Sequence, residues 1–248
     1  MNRAMISRLA DFHFCPTEEN YNNLVKENID TTKLFITGNT VVDVFKYTID
    51  ENYSNEMQEL HNNNNFVSNA KEIAIKDKYT AILLGCGLGN RKFTTEMTEF
   101  VIKNSDCPVI LDADGLNSIS GNINVLRENR KGVVITPHPA EFSRLTGMSV
   151  DEIQYDRISA AKNFAIDYNV TVVLKGVNTV IAAPTGECFI NTTGNAGLAK
   201  GGSGDVLTGI IASLIAQGTE IFYAAVLGVY LHGLAADRLA AGRNLFGI

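Results

Sequence analysis

The sequence predicts an α/β protein whose main part is a mostly parallel sheet sandwiched between helices, preceded by a small αβα fragment. Three observations carry that expectation. Beyond residue 66, apolar runs bounded by Gly, Pro and Asp alternate with stretches of helical periodicity, the pattern of strands joined by crossover helices. Before it, Asp50 to Asn65 loses all periodicity and ends in the polar run HNNNN, which has no face to bury. The 248 residues, 45% of them hydrophobic, can supply a substantial core to one large domain or two small ones. The boundary therefore falls at residue 65, giving segments 1–65 and 66–248.

In the first segment, Pro16 and Thr17 open a helix with Glu18 and Glu19 in its first turn, where carboxylates suit the helix dipole. Lys33 to Thr37 reads as a short strand, and Gly38-Asn39-Thr40 turns into a second helix, Val41 to Ile49. In the second segment strands are expected at Ala81–Leu84, Val109–Leu111, Val133–Ile135, Val172–Leu174, Thr179–Ala182 and Cys188–Ile190. Two helices close the chain. Asp205 to Ala216 puts Val206, Leu207, Ile210, Ile211, Leu214 and Ile215 on one apolar face. Tyr223 to Ala240 is apolar nearly all round, which predicts burial, with Gly228 and Gly233 where neighbouring backbones can approach.

Composition narrows the function classes. The net charge of −6, with no cluster of Lys or Arg, argues against nucleic acid, so any phosphate must be held locally. No stretch reaches the roughly 18 apolar residues of a membrane span, and Met1 leads into polar residues without a signal core, so a cytoplasmic protein is expected. Cys15, Cys86, Cys107 and Cys188 stand far apart with no metal-ligand spacing and are expected to be reduced and mostly buried. No residue is assigned as a metal ligand.

The strongest chemical signal is the run from Gly194 to Asp205, GNAGLAKGGSGD, leading straight into the apolar helix. Glycines let successive amides converge and a helix N-terminus adds partial positive charge, so the run suits an anion such as phosphate. Asp205 at that helix start either caps it or accepts a proton from a substrate hydroxyl. Three further motifs follow strands, where open α/β sheets bind ligands. The loop Gly85 to Asn90 allows close backbone approach; Asp112 and Asp114 either organise magnesium or a water network or cap the next helix. His138 stands between Pro137 and Pro139, presented outward for a ligand contact or held structurally, while Glu141 starts a helix. Lys175 leaves a central strand into a turn that returns at once as another strand, suiting either a nucleotide or plain exposure to solvent.

Six stretches, GCGLG (85–89), PVILDADGLN (108–117), VVITPHPAEFSRLTG (133–147), VVLKGVNTVIAAPTG (172–186), TGNAGLAKGGSGDVLTGIIASLIAQG (193–218) and YLHGLAAD (230–237), resemble the NAD(P)H-hydrate dehydratases of the ribokinase-like superfamily. That resemblance implies a ribokinase-like three-layer αβα sandwich and a dehydration that restores NADH or NADPH from the hydrated form. ADP or ATP is the implied co-substrate, with Mg2+. Asp205 would be the base on the hydroxyl that the nucleotide phosphorylates. Lys175, Gly176, Val177, Asn178 and Thr179, with Gly201, Gly202, Ser203 and Gly204, would contact the nucleotide; Gly87, Gly89, His138 and Asp205 would face the hydrated dinucleotide. Cys86 replaces the family's usual Pro. The family's N-terminal strand and Gly/Ala-rich helix start have no counterpart before residue 66, and the chain stops at Gly247-Ile248, so the domain is expected to be incomplete on its N-terminal side and to self-associate through an uncovered strand edge.

Residues 1 to about 60 resemble an internal piece of non-hydrolysing UDP-N-acetylglucosamine 2-epimerases, through SRLADFHFCPTEENYNNLVKENI (7–29) and LFITGNTVVDVF (34–45). None of that family's catalytic motifs lies here, so epimerisation is not expected. Two partial resemblances imply a fused, rearranged or wrongly assembled reading frame. The alternatives to a dehydratase are a small-substrate kinase of the same superfamily and a nucleotide-binding remnant without turnover.

Overall fold

A computed structural model describes residues 13–15, 18–36, 79–89 and 92–241, and the chain divides into two units, Met1–Phe66 and Val67–Ile248. In the first unit β1 (His13–Cys15), α1 (Glu18–Lys26) and β2 (Leu34–Ile36) follow one another, and the two strands pair in parallel with Phe14 opposite Phe35. The expected helix and the strand after it are both present, and the short run HFC adds a strand ahead of them. That second strand begins at Leu34, where Lys33 was expected to start it, and Thr37 lies outside the described residues. Asp30 accepts from the backbone N–H of Thr32 at 2.9 Å and draws Thr31–Lys33 into a 3-10 turn. Pro16, Thr17, the expected helix Val41–Ile49 and the Asn-rich linker lie outside the described residues.

The second unit builds a six-stranded sheet from β3 (Ile82–Leu84), β4 (Val109–Leu111), β5 (Val133–Ile135), β6 (Thr171–Leu174), β7 (Val180–Ala182) and β8 (Cys188–Ile190), in that order. β3 to β6 are parallel; β7 and β8 return antiparallel. The connecting helices are α2 (Lys92–Asn104), α3 (Ala113–Ser118), α4 (Pro139–Thr146), α5 (Val150–Tyr155) and α6 (Arg157–Tyr168), and α7 (Ser203–Ala216) and α8 (Ile221–Ala240) are the last described elements. Between β7 and β8 a tight turn is closed by Ala183 N donating to Glu187 O at 2.8 Å and Gly186 N to Ala183 O at 2.9 Å.

Alternation along each strand sends side chains to opposite faces. Ile110, Val134, Val173 and Ile181 form one apolar cluster with Leu207, Ile211 and Ile215 of α7 and with Phe222, Ala225 and Val229 of α8. Leu111, Ile135 and Leu174, one residue out of phase, are equally buried on the other side. There α4 and α6 meet through Phe142 and Phe164, whose rings lie 5.2 Å apart and tilted by 60°. The result is a three-layer α/β sandwich with every central strand buried on both faces.

Two expectations about the final helices need correction. α8 is not buried all round: Tyr223, Leu227, Tyr230 and Leu231 are exposed. Its small residues face inward instead. A Cβ on Gly228 would lie 2.7 Å from Ile211 Cγ1, and one on Gly233 would lie 2.3 Å from Thr193 Oγ1, so the helix seats by its glycines and turns its bulk outward. On α7 the buried stripe is Leu207, Ile211 and Ile215, spaced by four, and Val206 falls outside it at 55% exposure. Among the described residues no helix is long and apolar enough to cross a membrane.

Candidate active site

Parallel register brings the loops after β3, β4, β5 and β6 to one end of the sheet, and the start of α7 lies against them. The first two loops are stitched together. Gly85 has φ +135°, and a Cβ there would lie 1.7 Å from the carbonyl oxygen of Asp112, so no other residue fits this approach. Gly89 N donates to Asp114 Oδ2 at 2.8 Å, and Thr94 Oγ1 donates to Gly89 O at 2.9 Å. Asp114 thus shapes the glycine loop, while Gly87 stays open at φ +73°.

Asp112 begins α3 but makes no capping bond with its side chain. It is 2% exposed, and Lys175 Nζ donates to its Oδ1 at 2.7 Å. Lys175 is therefore neither free nor turned to solvent: its side chain is 21% exposed, its backbone N donates to Pro137 O at 2.9 Å, and Glu141 Oε2 stands 4.0 Å from its ammonium. His138 does not simply point outward. It caps α4, its Nδ1 accepting from Ala140 N and Glu141 N, while Glu141 Oε2 accepts from His138 N at 2.8 Å. Its ring nonetheless keeps about half its surface, 48%, exposed.

The start of α7 completes the site. Gly202 caps the helix at φ +87°, and the first bond from residue i to residue i−4 is Val206 N to Gly202 O at 3.1 Å. Ser203 N donates to Lys200 O at 3.4 Å, and the amides of Gly204 and Asp205 follow it in the position that gives helix N-termini their affinity for anions. Ser203 Oγ is buried without a partner. A Cβ on Gly204 would stand 3.2 Å from Asp112 Oδ2 and 3.3 Å from Lys175 Nζ, so this glycine brings the helix start against the ion pair. Asp205 sits in the first turn, exposed, and with Asp112 and Cys86 places one ligand-type atom each within 4.8 Å of the others.

Cys86 departs from expectation: the residue is exposed, not buried. Its thiol donates to Asp205, lies 4.0 Å from Thr208 Oγ1, and is pushed up to about 12 by burial of the sulfur, by that hydrogen bond, and by the charges of Asp205 and Asp112. The sulfur lies within 4.8 Å of a carboxylate oxygen of Asp112 and of Asp205.

The structure thus gathers Lys175, Gly204 and Asp205 of the expected residues around Asp112. Gly176, Val177, Asn178 and Thr179 form the reversal between β6 and β7, with Thr179 Oγ1 donating to Gly176 O at 3.0 Å. Two residues escaped the sequence reading. Arg157 donates to the carbonyls of Leu174 and Val177. Asp237 of α8 accepts from Gly194 N at 2.7 Å and Asn195 Nδ2 at 2.9 Å, anchoring the glycine-rich run at its start. The motif YLHGLAAD contains Asp237, but nothing in its spacing names the acceptor role.

A family model described as Carb_kinase, NAD(P)H-hydrate dehydratase, matches residues 36–247. The chain belongs to the NAD(P)H-hydrate dehydratase family. That match takes in residues 36–65, which the sequence reading placed in its first segment. An ADP-dependent (S)-NAD(P)H-hydrate dehydratase of Neisseria meningitidis serogroup B is 44% identical over 171 residues, covering 68% of this chain and 58% of the relative. The ADP/ATP-dependent NAD(P)H-hydrate dehydratase of Bacillus subtilis, solved after co-crystallisation with ATP and Mg2+, superposes with a TM-score of 0.64 at 37% identity, covering 72% of this chain and 62% of that one. A ribokinase-like superfamily protein of Enterococcus faecalis superposes over 97% of this chain and 73% of its own, with a TM-score of 0.58 at 26% identity. The chain spans less than two thirds of the length of the dehydratases it matches.

Proposed function

We propose that this member of the dehydratase family removes water from hydrated NADH or NADPH, using ADP or ATP as phosphoryl donor. The observation that carries the reading is the meeting of a glycine-lined helix start, Gly201 to Gly204, with the Lys175–Asp112 ion pair beside the Asp205 carboxylate. Helix-start amides, a buried hydroxyl on Ser203 and an ammonium suit a phosphoryl group whose charge grows during transfer. Asp205 accepts the proton of the substrate hydroxyl as its oxygen takes the phosphoryl group from the nucleotide. Phosphate then departs with the C–O bond while the ring loses a proton, and the double bond returns. Lys175 to Thr179 hold the nucleotide; Gly87, Gly89 and His138 face the hydrated dinucleotide.

Mg2+ fits the two carboxylates. Asp112 and Asp205 offer the hard oxygen donors that would hold it, whereas the Cys86 sulfur is too soft to take part. Bound there, the ion would neutralise phosphate charge.

The test is recovery of reduced-nicotinamide absorbance from hydrated NADH with ADP, with ATP and with neither, beside Asp205→Ala. Nucleotide-dependent recovery abolished by the substitution supports the reading. A small-substrate kinase would restore no absorbance, and a remnant without turnover would gain thermal stability from nucleotide alone. We propose separately, on sequence alone, that residues 1–60 are an epimerase-like piece fused to the dehydratase-like part. Intact mass of the native protein and one unbroken transcript across residues 50–80 test the fusion, and two separate products would refute it.

A further inference from the structure

We infer that Arg157 is a positioning residue for the nucleotide: it fixes the reversal between β6 and β7 without touching the ligand. This rests on the reading that Lys175 to Thr179 hold ADP or ATP. Nη2 of Arg157 donates to Leu174 O at 2.7 Å and Nη1 donates to Val177 O, so one planar fork grips the chain on both sides of Lys175 and Gly176. The grip needs Gly176. Its φ is +153°, and a Cβ there would lie 2.7 Å from Nη2 and 3.0 Å from Cζ of Arg157, so backbone rests directly on guanidinium.

Helix formation does not ask for this arginine. It is the first residue of α6, where a cation opposes the helix dipole, and the cap is supplied by Asp156, which accepts from Ser159 N at 2.9 Å. Among the described residues no carboxylate pairs with it, and its Nε is buried without a partner. Its place is set by the two carbonyls. The opposite side of the reversal is held by Lys175, through Pro137 O and Asp112. Arg157 is the counterweight that keeps the Lys175 ammonium aimed at the start of α7 while Val177, 87% exposed, projects from the turn.

The experiment compares the full chain with Arg157→Lys, Arg157→Ala and Gly176→Ala by calorimetric titration with ADP and ATP, nicotinamide recovery kinetics and amide exchange. Lysine can reach one carbonyl but not both, so Arg157→Lys is expected to raise the nucleotide Kd and KM about tenfold with kcat changed less than about threefold. Arg157→Ala and Gly176→Ala should go further, and exchange at residues 175–179 should quicken while β4 stays protected. Should Arg157→Ala fail to fold, Arg157→Lys decides. Wild-type affinity in Arg157→Lys, or unchanged exchange at 175–179, overturns the inference alone. Absence of ADP and ATP binding by the wild-type chain overturns it together with the proposed function.

Discussion

Lys175 Nζ stands 2.7 Å from Asp112 Oδ1 and so ties the C-terminal ends of β4 and β6 together across the intervening β5. Removing the cation strands a buried carboxylate. Lys175→Met is expected to lower unfolding free energy by about 2–4 kcal/mol, the smaller end being favoured by the partial exposure of the ammonium. Asp112→Asn should cost less, and the double variant should be more stable than the sum of the two losses. Urea melts of the four proteins give the coupling; strict additivity would show that the pair contributes nothing.

Gly85→Ala puts a methyl group into the carbonyl of Asp112 and demands a backbone shift in both loops. A loss above about 2 kcal/mol is expected, from the positive φ and the overlap together. Gly87→Ala, with open space around it, should cost only the φ penalty. Thermal melts rank the two, and equal losses would mean that the overlap is relieved elsewhere.

The two roles open to His138 separate by substitution. Asn can accept the same amide bonds at a helix start, so His138→Asn should keep wild-type stability while His138→Ala loses about 1 kcal/mol. If the exposed ring also meets the hydrated dinucleotide, both variants raise the KM for that substrate. An unchanged KM in both would leave the ring a cap and nothing more.

The Cys86 thiol, raised from 9.0 to about 12, stays protonated well above neutral pH. The sign follows: the unfolded chain loses this proton first, so the stability the thiol contributes is complete below pH 9 and is lost as pH rises towards 12. Asp205→Asn removes a charge that raises the thiol, so iodoacetamide labelling of Cys86 at pH 9 should quicken by about threefold or more over wild type. Peptide mass spectrometry reads it. An unchanged labelling rate would place the carboxylate away from the sulfur.

β4, β5 and β8 were legible to the residue, because Pro108, Gly132 and Glu187 bound uninterrupted apolar runs. The burial of α8 was misread because composition counts apolar residues without saying which way they turn; Gly228 and Gly233, which fix that direction, were visible all along. Lys175, Gly204 and Asp205 could be found since each ends or begins an element within a motif. Arg157 and Asp237 could not, for their work is to hold backbone atoms distant in sequence, and no spacing announces such a bond. His138 shows the converse: a residue conspicuous between two prolines turns out to serve its own helix first.

The turn from Ala183 to Glu187 follows from β7 running antiparallel to β6: it must emerge at the end of the sheet away from Lys175. A fluorophore or a surface tether attached at Thr185 would therefore hold the six-stranded sheet by the end opposite the Lys175–Asp112 pair. That makes this hairpin a natural handle for immobilised or single-molecule work on the second unit.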